Sequence, residues 1–202
     1  MKKQSIKNQK GFTLIETLIA ILILALTIGA LLTLTAGGFF SIRYAKNDIV
    51  AANLLQESLE FIRNTRDNAA QGGLDWNTWI DQYKQCRTDI KSDGCIINPY
   101  SDAYQGSYSV SDAVVGCSGD CPNLSYFPAS GFYGYTGSLN VFDPSNTDTN
   151  RYETSFVRTV KMDLVTTTPD PQLIVTARMD WLNGTNRKST TQSIILTPWN
   201  LQ

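Results

Sequence analysis

The 202-residue chain contains no histidine. That one absence excludes Ser-His and Cys-His catalysis, histidine-ligated metal centres and histidine pH switches. It also lacks a Gly-x-Ser-x-Gly elbow, a phosphate-cradling glycine loop and a convincing pair of catalytic carboxylates. No catalytic residue, cofactor or resident metal is therefore assigned, and the chain is read as a non-enzyme. Seventeen basic and eighteen acidic side chains give a net charge of −1, which argues against nucleic-acid binding through bulk positive charge. Proline is absent before Pro99. Charge is absent altogether from Thr17 to Ile42, a run of 26 residues. What is present is enough for a core: 42% of residues are hydrophobic and 10% aromatic, which excludes wholesale disorder.

The uncharged run reads TLIAILILALTIGALLTLTAGGFFSI. As a helix rising ~1.5 Å per residue it reaches roughly 39 Å, more than the ~30 Å hydrocarbon core of a bilayer. A soluble helix apolar on every face is a poor alternative. A secretory signal peptide has a shorter apolar stretch and a small-residue cleavage site, which Leu34-Thr35-Ala36 matches badly. The run reads as a membrane segment. Lys2, Lys3, Lys7 and Lys10 precede it, with no acid among residues 1–11, so the positive-inside rule holds the N-terminus in the cytoplasm and sends the remainder outward. Glu16 stands at the start of the run, and a carboxylate there costs about 2.5–3.5 kcal/mol on insertion scales, which marks it as functional.

The stretch Lys10-Gly11-Phe12-Thr13-Leu14-Ile15-Glu16, a basic leader before it and an apolar run after it, resembles the processing site of type IV prepilins and type II secretion pseudopilins. The resemblance implies a prepilin peptidase that cuts after Gly11 and N-methylates the new Phe12 amine. Glycine before the scissile bond carries no side chain to obstruct the protease. Glu16 is then an assembly residue, pairing with the Phe12 amine of a neighbouring subunit in a filament, where the pair satisfies a charge that is costly alone. The competing reading has Glu16 snorkelling to the lipid headgroups. Other pilin or pseudopilin subunits, an inner-membrane assembly platform with its ATPase, and membrane lipid before assembly are the partners implied. The expected location is a single pass through the cytoplasmic membrane, C-terminus outside, followed by a cell-surface or periplasmic filament.

Beyond Arg43 no Gly or Pro interrupts the chain until Gly72. Ala51, Leu54, Leu55, Ser58, Leu59 and Ile62 fall at helical spacing and form one largely apolar stripe. Glu60 with Arg63, and Arg63 with Asp67, are spaced to pair. One helix is thus expected from Phe12 to about Asp67, with Gly29, Gly37 and Gly38 as close-packing points or, less well, as places where the helix stretches locally. The stretch from Ala52 through Asp67, with Trp76 after it, is similar to the PilV-like group of minor pilins, and the missing proline leans the same way, since many major pilins carry one in this segment.

The rest reads as an outward head. Trp76, Trp79, Ile80 and Tyr83 share one face of a short helix with Asp75 as N-cap. From Cys86 to Asn150, Gly, Ser, Asp, Asn, Tyr and Pro dominate, with short strand-like pieces at 108–110 and 139–142. All four cysteines lie here, and outside the cytoplasm disulfides are permitted. Pairing of nearest neighbours gives Cys86–Cys95 and Cys117–Cys121. A four-cysteine zinc site is the competing reading, weakened because Cys86 and Cys95 exceed zinc-pair spacing. Asp143, Asn146, Asp148 and Asn150 form an oxygen-rich loop that reads as a solvated turn or, less well, as a calcium site. Tyr126, Phe127, Phe132, Tyr133 and Tyr135 read as loop anchors or, alternatively, as a platform for sugars or DNA bases.

Alternation of apolar residues at Phe156, Val160, Met162 and Leu164, broken by Arg158, and at Leu173, Val175, Ala177, Met179 and Trp181, predicts strands over about 154–167 and 172–182. Asn183-Gly184 signals a hairpin into a third strand over 187–197. The expected fold class is α+β and pilin-like: a long N-terminal helix packed on a small antiparallel sheet. The expected organisation is a leader at 1–11, a membrane or filament-core segment at 12–42, an amphipathic continuation at 43–70 and a head at 71–202. Function by resemblance is that of a minor pilin or pseudopilin, with a secretion or competence pseudopilin, or an adhesive or DNA-binding pilus-tip head, as alternatives. Removal of the leader leaves thirteen basic against eighteen acidic residues, a charge of −5 that disfavours DNA.

Overall fold

The computed structural model of the chain describes residues 11–91, 93–99, 110, 113–128, 130–135, 151–166 and 171–199. Helix α1 runs from Leu14 to Gln71, a turn beyond the expected end. It belongs to two compact units, Met1–Lys46 and Asn47–Gln202, whose boundary falls inside it. In the second unit the stripe read from the sequence is buried as expected, extended by Phe61, Thr65 and Ala69. Glu60 pairs with Arg63 as its spacing requires, whereas Asp67 takes the adjacent Arg66 at 2.7 Å.

After α1 the chain turns through Gly73, whose positive φ an L-residue adopts only with strain. Asp75 then caps α2 (Trp76–Asp81), accepting from the amides of Asn77 and Thr78. Trp76 and Trp79 stack at a tilt, centroids 5.2 Å apart, and Trp199 meets both edge-on. Tyr83 lies past the end of α2 but is buried with it, its hydroxyl 2.6 Å from that of Thr65 on α1.

Seven strands make one antiparallel sheet: β1 (Cys95–Ile97), β2 (Val114–Gly116), β3 (Asn123–Phe127), β4 (Phe132–Gly134), β5 (Tyr152–Val165), β6 (Gln172–Asn183) and β7 (Asn186–Leu196). The expected meander is present as β5, β6 and β7. Its turn differs slightly from expectation: Asn183 closes the ladder opposite Asn186, leaving Gly184 and Thr185 as the two loop residues. Gly184 supplies the positive φ. The segment read as loop holds four further strands. Along the other edge of β5, Val157 pairs with Asn123 of β3 and Val160 with Cys95 of β1. Strands of three to five residues among glycines and serines carry too little alternation to be recognised by period. Of the two strand-like pieces, 108–110 shows only Val110, which lies in no strand, and 139–142 falls outside the described residues.

The disulfides staple this added half. Cys86 is joined to Cys95 and Cys117 to Cys121. Residues 86–88 run beside β5, where Met162 donates its amide to Cys86 and accepts from that of Thr88. The first bridge therefore ties this segment to β1, and the second closes the turn between β2 and β3. Gly94 sits where a Cβ would come within 2.8 Å of the Val160 carbonyl oxygen, at positive φ, so only glycine fits.

One core residue breaks the hydrophobic rule. Arg158 is fully buried, on the inward face of β5 between Phe156 and Val160. Its Nη1 donates to the Leu54 carbonyl (2.7 Å) and to the Glu57 carboxylate (2.8 Å), its Nη2 to the Ile97 carbonyl (2.7 Å). The guanidinium also lies 5.9 Å from the Tyr135 ring centroid, within cation–π range. Burial disfavours its charge, but Tyr135 and Glu57 favour it, and the balance leaves the pKa above the ordinary arginine value. Arg158 thus joins α1, β1 and β5 at one point.

Two outcomes follow for urea unfolding of the full chain held in lipid nanodiscs. Arg158→Ala strands Glu57 and two carbonyls and should lose about 3–5 kcal/mol, while Glu57→Gln, which keeps both carbonyl contacts, should lose less; equal stability of Arg158→Ala and wild type would refute the staple. Removing either disulfide should cost roughly 2–3 kcal/mol, and alkylation of the unfolded, unreduced chain should label no cysteine.

Candidate functional site: the N-terminal assembly segment

The chain around Gly11 has no internal reason for glycine. No heavy atom lies within 4 Å of where its Cβ would stand, and its φ is not among the positive ones. Phe12 follows, 79% exposed. Helix α1 opens immediately after, with the amides of Glu16 and Thr17 both bonded to the Thr13 carbonyl. Glu16 therefore lies in the first helical turn, where free amides and the helix dipole favour a carboxylate by about 0.3–1 kcal/mol. Among the described residues it has no ion-pair partner.

Past Glu16 the helix presents apolar side chains on every side. An 18-residue window reaches a mean hydropathy of 2.6 with none of it buried. Its few hydroxyls do not spoil that surface. Thr17, Thr27, Thr33, Thr35 and Ser41 each donate to a carbonyl three or four residues earlier, at 2.8–3.2 Å. The polar groups are thus satisfied inside the helix, as a hydrocarbon environment requires. Gly29, Gly37 and Gly38 have empty space around them and do not break the helix.

Gly11, Phe12 and Glu16 are thereby brought to one exposed end, within about one turn of helix. The other candidates resolve differently. Of the five aromatics singled out between Cys117 and Tyr135, Phe127 and Tyr135 are buried anchors. Tyr126 and Tyr133 stack across the β3–β4 hairpin, centroids 5.0 Å apart. Sequence reasoning missed Tyr152, which pairs with Tyr126 across strands and is 63% exposed; their relation depends on the β3–β5 register, which is not readable locally. Asp143, Asn146, Asp148 and Asn150 lie outside the described residues. Among the described residues no three His, Cys, Asp or Glu side chains converge as for a metal ion.

Residues 6–32 match the prokaryotic N-terminal methylation motif. The motif is that of type IV pilin-like and pseudopilin proteins, a family of structural subunits rather than enzymes, and it implies processing by prepilin peptidase and assembly with other pilin subunits. With the apolar helix it indicates a membrane-anchored chain. No curated protein and no solved structure matches the chain.

If an approaching protease sets the demand for glycine, Gly11→Val should leave the fold untouched and block processing. Intact-mass measurement of the membrane fraction should then find the precursor in place of the shortened chain. Normal shortening of the valine variant would contradict this.

Proposed function

We propose that the chain is a minor pilin or pseudopilin of the PilV-like kind, cut between Gly11 and Phe12, N-methylated at Phe12 and built into a type IV-like filament. The observation that carries the reading is the Lys10–Glu16 motif standing directly before an uncharged helix whose most apolar window is unburied among the described residues. In the membrane, lipid covers that surface. In a filament, neighbouring helices do so, and the apolar area stays out of water throughout transfer. The basic leader holds the N-terminus in the cytoplasm; the head faces outward, where its disulfides form.

Cleavage creates a cationic amine at Phe12 close to the anionic Glu16. Among the described residues Glu16 has no ion pair, and the Phe12 amine of a neighbouring subunit supplies one at the low dielectric of a filament core. An assembly platform and its ATPase supply the work of extraction. The absence of proline before Pro99 favours a minor subunit over a major one.

Glu16→Leu tests the pairing. It removes a charge from the membrane segment, so insertion and processing should proceed as in wild type, while recovery in sheared filaments should drop at least tenfold. Unchanged recovery of the leucine variant would sink the pairing; loss of membrane insertion would instead give Glu16 an anchoring role.

A further inference from the structure

On the outer face of the sheet, away from the helix stripe, the β5–β6 ladder stops early. Its last pair is Val157 with Asp180. Beyond it the Ser155 hydroxyl stands in for the missing rungs, accepting from the Leu182 amide at 3.2 Å and reaching its carbonyl at 3.5 Å. The strands part there, and a cleft of about 380 Å³ opens, lined among others by Asn123, Glu153, Asp180, Trp181, Leu182 and Arg187. That volume lies within the range of small-molecule sites, roughly 300–1,000 Å³.

The chemistry of the walls is mixed and only partly satisfied. Asn123 donates to Glu153 at 3.0 Å, and Arg178 grips both oxygens of Asp180 at 2.8 Å, so the two carboxylates are held in place. Glu153 has no cationic partner and Arg187 no anionic one among the described residues. Trp181 is only 2% exposed, yet its indole Nε1–H has no acceptor there. Leu182, 50% exposed, offers an apolar surface beside these groups.

We propose that this cleft binds a neutral sugar ring. A simple anion would meet Glu153 and Asp180, and a simple cation would meet Arg187. Hydroxyl groups donate to the carboxylates and accept from Arg187, so an uncharged polyol satisfies both walls. The C–H face of a pyranose covers Leu182 and Val157. The site depends on the head alone and needs neither leader cleavage nor filament assembly.

The test uses the full chain in phospholipid nanodiscs, free of sugar-based detergent, titrated with methyl glycosides of glucose, galactose, mannose and N-acetylglucosamine. The readout is the backbone amide resonance of Leu182, which lines the cleft. At least one glycoside should shift it saturably, and a cationic polyamine and a sulfated glycoside should not. Arg187→Ala and Glu153→Gln, both at the open wall, should weaken the binding at least tenfold with the head's spectrum otherwise unchanged. No shift with any of the four glycosides overturns the proposal, as does a shift that survives in both variants. Binding of only the polyamine or only the sulfated sugar assigns the cleft to a charged partner and overturns it equally.

Discussion

The physical fact on which the rest depends is an apolar helix surface, none of whose most apolar window is buried among the described residues. Between Glu16 and Arg43 α1 carries no charge, its hydroxyls are bonded to its own carbonyls, and none of its most apolar window is buried. At about 25 cal/mol per Å² such a surface cannot stand in water at any stage. A chain built this way needs an apolar environment, which a bilayer supplies and which a bundle of like helices would supply equally. Within that constraint a single carboxylate at the start of the helix is conspicuous, because it costs free energy in both environments unless a cation meets it.

The same helix does a second task in its latter part, by different means. From Ala51 onward one stripe faces the sheet and the opposite face carries Glu60, Arg63 and Asp67. Arg158 fixes this packing by charge and by carbonyl contacts rather than by volume. A buried guanidinium is tolerated because Glu57 and two carbonyls receive it, and its geometry leaves little freedom for α1 to slide along the sheet. The disulfides serve the short strands, which have too few ladder bonds to hold themselves.

How much of this could be read from the sequence depended on whether the information was local. The α1 stripe, the N-cap Asp75 and the β5–β6–β7 meander repeat at 3.6 or 2 residues over long stretches, and they stand where the periods put them. Arg158 read as a break in an otherwise apolar face. Its partners lie 61 to 104 residues away, so nothing nearby announced that the position is inward and that both its terminal nitrogens find acceptors. Strands β1 to β4 were hidden among glycines and serines for the same reason: their pairing with β5 defines them, not their composition. The cleft beside Ser155 is legible only in the register, as the place where the ladder ends. At the N-terminal end the converse holds. The motif was plain in the sequence, and the structure adds that, among the described residues, nothing packs against Gly11 and Glu16 stands in the first turn without an ion pair.

The central claim is that this chain works as a trimmed and methylated filament subunit. The most direct measurement is the mass and N-terminal sequence of the chain recovered from purified surface filaments. A chain that starts at Phe12, carries an N-methyl group and lacks residues 1–11 is the predicted result. A chain found only in the membrane and still starting at Met1 would contradict the account.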